Sequence, residues 1–219
     1  GEYITDSAKK NIQQDSINYS ELTKEISSKG LRYDLTVPLA RMVSQHQNEL
    51  QFPFKRYHIA PVWRADRPQK GRYQEFFQCD ADIVGTKGLV ADIDLIDLID
   101  TVFHKLNLKV EIKINNRKIY NGICEYLEII NQSSKVSTIL DKWDKIGEDM
   151  VQEELTKIIP EDKSKALLTI LKDNSLEKIQ SLNDLSAKGV EEVEQIMRLA
   201  QSECLTLDLR LLRGLDYYT

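Results

Sequence analysis

Between Lys55 and Glu75 the sequence sets six basic side chains, Lys55, Arg56, Arg64, Arg67, Lys70 and Arg72, against only Asp66 and Glu75. Guanidinium groups are planar forks of donors that match carboxylates and phosphates. A basic run is most often a solvated face. Here it lies in an acidic chain of net charge −5, which argues against nucleic acid bound over the whole surface. With Pro68 and Gly71 between two strand-like stretches, the run points to a phosphate-bearing ligand.

The flanking stretches are the elements that must hold these groups. Tyr57, Ile59 and Trp63 fall on odd positions before the loop, with Arg56, His58 and Arg64 on even ones. After it, Phe77, Cys79, Ala81 and Ile83 are odd, while Gln78, Asp80 and Asp82 are even. Strand side chains alternate between faces, so the spacing predicts a hairpin over 54–85 with an apolar core face and a polar face. Coincident polar faces would gather Arg64, Phe76, Gln78 and Asp82 on one surface.

Upstream, Leu31, Tyr33 and Leu35 alternate as a short strand would, with Thr36 as a cap and Pro38 in the first turn of a helix. Asp34 sits at that junction, either serving a site or helping to cap the helix. Downstream, Ile93, Ile96, Ile99, Val102, Phe103 and Leu106 form a helical stripe, with Asp92, Asp94, Asp97 and Asp100 as its wet side rather than a metal site. Val110, Ile112 and Ile114 mark another strand, reached by a βαβ crossover or by a helix packed across an antiparallel sheet. From 116 to 204 the pattern becomes short amphipathic helices, with breaks near Asn131, Pro160, Asn174 and Gly189. The leucines Leu205, Leu207, Leu209 and Leu211 resume a strand, kinked before Arg213 and Gly214.

At 219 residues, 41% hydrophobic and 30% charged, the chain fits one large domain or one with a smaller insert. No apolar run is long enough to span a bilayer and no signal-peptide pattern opens the sequence. Cys79, Cys124 and Cys204 lack metal-ligand spacing and read as buried thiols of a reducing compartment, the cytoplasm.

Three stretches carry a family resemblance. VWRADRPQKGRYQEFFQCDADIVG resembles the second signature motif of class II aminoacyl-tRNA synthetases in its histidyl form. RYDLTVPLAR and RGLDYYT resemble two further histidyl-tRNA synthetase signatures, in the family's order. The resemblance implies an α+β fold, an antiparallel β-sheet flanked by helices. It divides the chain into a catalytic core at 1–115, an all-helical insertion domain at 116–204, and a return to the core at 205–219. It implies ATP-dependent activation of histidine to histidyl-adenylate and transfer to histidine tRNA by a homodimer. Mg2+ would be held mainly through the ATP phosphates, with no protein side chain identified as a metal ligand.

Carried over by motif, Arg64 bridges the substrate carboxylate and α-phosphate, and Arg213 lies on the opposite side of that phosphate. Arg72 holds the distal phosphates, Phe76 stacks on adenine, and Asp66 meets the adenine side. Asp34, Thr36 and Gln78 take the α-ammonium group. Asp82 and Tyr218 take the imidazole nitrogens, with Tyr217 lining the pocket. Where Asp34 and Asp82 stand, much of the family has glutamate. Both ends look cut, and the family's first and third motifs and its anticodon-binding domain would lie outside these residues. A non-catalytic relative, the regulatory subunit of ATP phosphoribosyltransferase, is the alternative, although such relatives tend to lose signatures that RPQKGR and RGLDYY retain here.

Overall fold

A helix and a long hairpin make up the part of the molecule that bears the basic loop. The computed structural model describes residues 22, 27 and 29–212. The chain divides into two compact units, Gly1–Gly85 and Thr86–Thr219.

In the first unit, α1 (Thr36–His46) leads to β1 (Phe54–Trp63) and β2 (Glu75–Val84). The strands pair antiparallel, with Arg56 opposite Asp82, His58 opposite Asp80, Ala60 opposite Gln78 and Val62 opposite Phe76. Directly opposed residues share a face, so the even positions of both strands do coincide. At the loop tip, Arg72 N–H donates to the Gln69 carbonyl at 2.8 Å. Gly71 takes φ +81° there, a conformation that a turn needs and L side chains rarely adopt.

The hairpin's covered face is the even one. Leu35, Ala60 and Val62 are buried together, with Phe76 packed against them. The odd face is open, with Tyr57 78% and Phe77 71% exposed and Ile59 and Cys79 exposed beside them. This corrects the expectation of an odd-numbered core face, and for Cys79 the expectation of a buried thiol. The small Ala60 and the branched Val62 give Leu35 a seat that the polar even positions alone would not.

Leu31–Leu35 is not a strand. Trp63 N–H donates to the Arg32 carbonyl at 2.9 Å, but the next outward position along β1 is Pro61, which has no N–H to extend a ladder. The Arg32 guanidinium instead donates to the Pro61 carbonyl at 2.8 Å. Thr36 is the first helical residue of α1 rather than its cap. The Asp34 side chain supplies the cap, accepting from Val37 N–H at 3.2 Å.

The second unit begins with α2 (Val90–Lys105), followed by β3 (Ile112–Ile114) and α3 (Arg117–Tyr126). Next come α4 (Ser133–Leu140), α5 (Trp143–Ile146), α6 (Glu148–Thr156) and α7 (Glu161–Asp173). The unit continues through α8 (Leu176–Gln180), α9 (Asp184–Leu199) and β4 (Leu205–Leu207). The apolar stripes of the helices from α3 onward meet in one core that includes Ile123, Val136, Leu140, Val151, Leu155, Leu167 and Val193. Leu209 and Leu212 belong to it as well. On α2 only Ile96 of the expected stripe is buried, against Ile112 and Ile196. Ile99, Val102 and Leu106 stay exposed.

Three further expectations change. β3 and β4 pair in parallel, Ile112 opposite Leu205 and Ile114 opposite Leu207, so the antiparallel arrangement holds in the hairpin and not in this pair. Asp208 stops β4, because its carbonyl and carboxylate accept from Leu211 N–H and Arg210 N–H, both at 3.0 Å, and curl the chain out of the leucine alternation. Gly189 breaks nothing. It lies inside α9, where a Cβ would come within 2.7 Å of the Ile119 backbone nitrogen on α3.

Candidate functional site

The even face of the hairpin has two ends with different chemistry. Toward the loop, Leu35, Val62 and Phe76 make it apolar. Away from the loop it carries Arg56, His58, Asp80 and Asp82 in facing pairs, with Asp34 beside them at the head of α1. Burial raises the Asp80 carboxyl above its ordinary value, and the neighbouring charge of Asp82 and then of Asp34 adds to the rise. Arg56 and His58 oppose it. These groups are close enough to sense one another electrostatically.

Asp82 is buried, and both the Nε and one terminal nitrogen of Arg56 contact its Oδ2, at 3.1 and 3.0 Å. Midway along the face, the Gln78 Oε1 is buried and finds no hydrogen-bond partner among the described residues. A buried polar atom without a partner costs on the order of 1–3 kcal/mol. It is therefore where a ligand's N–H would be welcome.

Arg64 sits one residue past β1 and is anchored by its backbone N–H to the Gln74 carbonyl at 2.9 Å. Its Nε donates to the Tyr33 carbonyl at 3.3 Å. The guanidinium lies 4.5 Å from the Tyr33 ring centroid and 5.1 Å from that of Phe76. Stacked this way it keeps its charge at the rim of the face while its orientation is restrained.

Of the residues singled out from the sequence, Asp34, Arg64, Phe76, Gln78 and Asp82 come together, and Thr36 starts the helix next to Asp34. Asp66 and Arg72 lie on the exposed loop, where the Asp66 carbonyl accepts from the Gln74 amide at 3.2 Å. Arg213, Tyr217 and Tyr218 lie outside the described residues. In the second unit, a polar cavity of about 490 Å³ is lined by Asn115, Arg117, Tyr120, Ser134, Thr138 and Leu212. It stands immediately before the Arg213 motif in the chain.

Sequence reasoning missed four participants. Arg56 read as one charge of the basic run, and His58 and Asp80 only as alternating polar positions. Their signal was the cross-strand register, which pairs a guanidinium with one carboxylate and an imidazole with another. Tyr33 carried no signal, since its contact with Arg64 depends on where the segment before α1 runs.

A sheet face with the restrained cation Arg64 at its loop end and carboxylates toward the other suits a ligand that is anionic in one part and a hydrogen-bond donor in another. Comparison with known proteins shows the family of the chain. The sequence matches the Histidyl-tRNA synthetase family over residues 3–219. It is 47% identical over 213 residues to a histidine–tRNA ligase of Azobacteroides pseudotrichonymphae, covering 91% of this chain and 46% of that protein. Among solved structures, a histidyl-tRNA synthetase from Nostoc sp. matches with a TM-score of 0.74 and 32% identity, over 86% of this chain and 47% of that one. A Bacillus halodurans protein described as an ATP phosphoribosyltransferase regulatory subunit/histidyl-tRNA synthetase reaches a TM-score of 0.71 at 19% identity, over 86% and 52%. That likeness is one of fold alone.

The chain belongs to the histidyl-tRNA synthetase family. The α+β fold expected from the sequence is the one these relatives share. The chain spans about half the length of the curated relatives it matches. Among the described residues no helix is long and apolar enough to cross a membrane.

Proposed function

We propose that this chain carries the histidine- and ATP-binding face of a histidine–tRNA ligase. The observation that carries the reading is the buried, partnerless Gln78 Oε1, flanked by carboxylates on one side and by the stacked Arg64 on the other. An amino acid brings an ammonium group and a carboxylate, and this face offers an acceptor for the first and a cation for the second.

In the first step, a histidine carboxylate oxygen attacks the α-phosphorus of ATP as the bond to the bridging oxygen breaks and pyrophosphate leaves. No covalent nucleophile from the protein is needed. Positioning and neutralisation of the spreading negative charge do the work. Arg64 spans the substrate carboxylate and the α-phosphate. Arg213 acts on the opposite side, Arg72 on the distal phosphates, Phe76 under adenine, and Asp66 at the adenine edge. Asp34, Thr36 and Gln78 hold the ammonium group. Asp82 and Tyr218 hold the imidazole nitrogens, beside Tyr217. Mg2+ would accompany the ATP phosphates and would supply further neutralisation. The histidyl group then passes to the terminal ribose of histidine tRNA, in a cytoplasmic homodimer whose helical insertion spans 116–204.

The test is histidine-dependent ATP–pyrophosphate exchange by the full-length protein. Exchange is expected, and Arg64→Ala lowers its rate by roughly 100-fold or more, the usual cost of one preorganised charge donor. A folded, dimeric full-length protein with no detectable exchange overturns the reading.

A further inference from the structure

Arg56 holds more of the polar face together than any residue singled out from the sequence. Its Nε and a terminal nitrogen grip the Oδ2 of Asp82, at 3.1 and 3.0 Å. The same terminal nitrogen donates to the Leu35 carbonyl at 3.0 Å. The other donates to the Nδ1 of His58, also at 3.0 Å. A guanidinium has no acceptor, so His58 Nδ1 must accept and the ring's proton sits on Nε2. One side chain therefore ties together β1, β2 and the residue that joins Asp34 to α1.

We propose that Arg56 is a positioning residue for the amino-acid side of the site. It fixes the rotamer of Asp82, the tautomer of His58 and the placement of the Asp34–Thr36 segment. This rests on the function proposed above. The physical reason is reach. Asp82 has one methylene fewer than glutamate, so its carboxylate meets a ligand only if it is held in one orientation. Two contacts on a single oxygen, from a cation whose side chain is itself largely buried, restrict it in that way. Lysine cannot substitute fully, because an ammonium is a point donor and does not reproduce the planar fork. Arg56 needs no contact with the substrate to act.

The experiment measures exchange kinetics of full-length Arg56→Gln and Arg56→Lys with histidine and ATP varied separately. Misplacing a binding group is costly even when the chemistry is untouched, so Arg56→Gln should raise KM for histidine about tenfold or more while KM for ATP changes by less than about twofold. Arg56→Lys should recover part of that loss. In an Asp82→Asn background, Arg56→Gln should add little, because the two changes act through one contact. Should Arg56→Gln fail to fold, Arg56→Lys and its pairing with Asp82→Asn decide the question by the same split.

An unchanged KM for histidine overturns the proposal, as does an Arg56 effect that persists undiminished beside Asp82→Asn. A parallel rise in both KM values with a matching loss of thermal stability also overturns it, since that marks a purely structural residue. If the wild type itself shows no histidine-dependent exchange, the proposed function falls and this inference with it. Wild-type exchange with a flat histidine KM removes this inference alone.

Discussion

The Asp34 carboxylate accepts a hydrogen bond from the backbone N–H of Val37, 3.2 Å away, and so caps α1 while standing beside Asp80 and Asp82. A single side chain thus serves a helix end and a candidate binding face. The two roles make opposite demands on substitution. Asparagine caps as well as aspartate, but it removes the negative charge that an ammonium group would meet.

Asp34→Asn is therefore expected to melt close to the wild type and to raise KM for histidine. Asp34→Ala should also lose about 1 kcal/mol of stability, the usual worth of an N-cap. Thermal melts paired with histidine-dependent exchange check this. An Asp34→Asn protein with wild-type KM would reduce Asp34 to a cap.

Gly189 on α9 and Ile119 on α3 meet where the two helices pack against each other. A Cβ at Gly189 would lie 2.7 Å from the Ile119 nitrogen and 2.8 Å from its Cγ1. Across the same crossing, a Cβ at Gly122 would meet Ser186 at 2.7 Å. Backbone cannot step aside as a flexible side chain can. Gly189→Ala should cost roughly 1–3 kcal/mol by overpacking, despite alanine's better helix propensity. Gly88→Ala, with nothing within 4 Å of its added methyl, serves as the near-neutral control in the same melting series.

The cysteines should separate by reactivity. Cys124 is fully buried in the helical core, and burial pushes its thiol up to about 11, only partly offset by a hydrogen bond with Tyr120. Cys79 is exposed on the odd face of β2. Thiolate is the reacting species. Iodoacetamide near neutral pH should therefore modify Cys79 in the native protein and reach Cys124 only after denaturation, as read by peptide mass. Equal native labelling of the two would contradict the packing described for α3.

How far the sequence could be read depended on whether an element's neighbours were local. The 54–85 hairpin follows from alternation, and with it the sharing of a face by Phe76, Gln78 and Asp82. Alternation separates two faces but does not say which is covered. Tyr57, Ile59 and Phe77 looked like core, yet the cover comes from Leu35 seated on Ala60 and Val62. The Leu31–Leu35 pattern was strand-like, but Pro61 lies twenty-six residues beyond Leu35 and leaves it no ladder to join. Gly189 read as a helix break because its reason, the backbone of Ile119, belongs to another helix. Arg56 read as one more charge because its bonds to Asp82, His58 and Leu35 exist only once the register is fixed. The roles proposed for Asp34 and Arg64 came from motif resemblance, which carries information that periodicity lacks.

Asp208, which ends β4, gives the stability a pH dependence of definite sign. Burial alone would raise its carboxyl, but hydrogen bonds from Lys113 at 2.9 Å and from Arg210 outweigh this and hold it below the ordinary carboxylate range. A group depressed in the folded state binds fewer protons folded than unfolded, so stability rises with pH across its titration. The contribution is complete above the unfolded value of about 4 and disappears as pH falls through the lower folded value. Lys113 is raised by the same bond, and its share would be lost only as pH climbs past the lysine range. Both shifts describe one pair and count once. Lys113 is partly solvated, which limits the size of the effect. Asp208→Asn keeps an acceptor for Arg210 N–H but removes the charge. Its melting temperature should fall below wild type at pH 7, with the gap closing as the pH drops below about 4. A gap that stays constant down to pH 2 would mean that Asp208 stabilises the turn through its shape and not its charge.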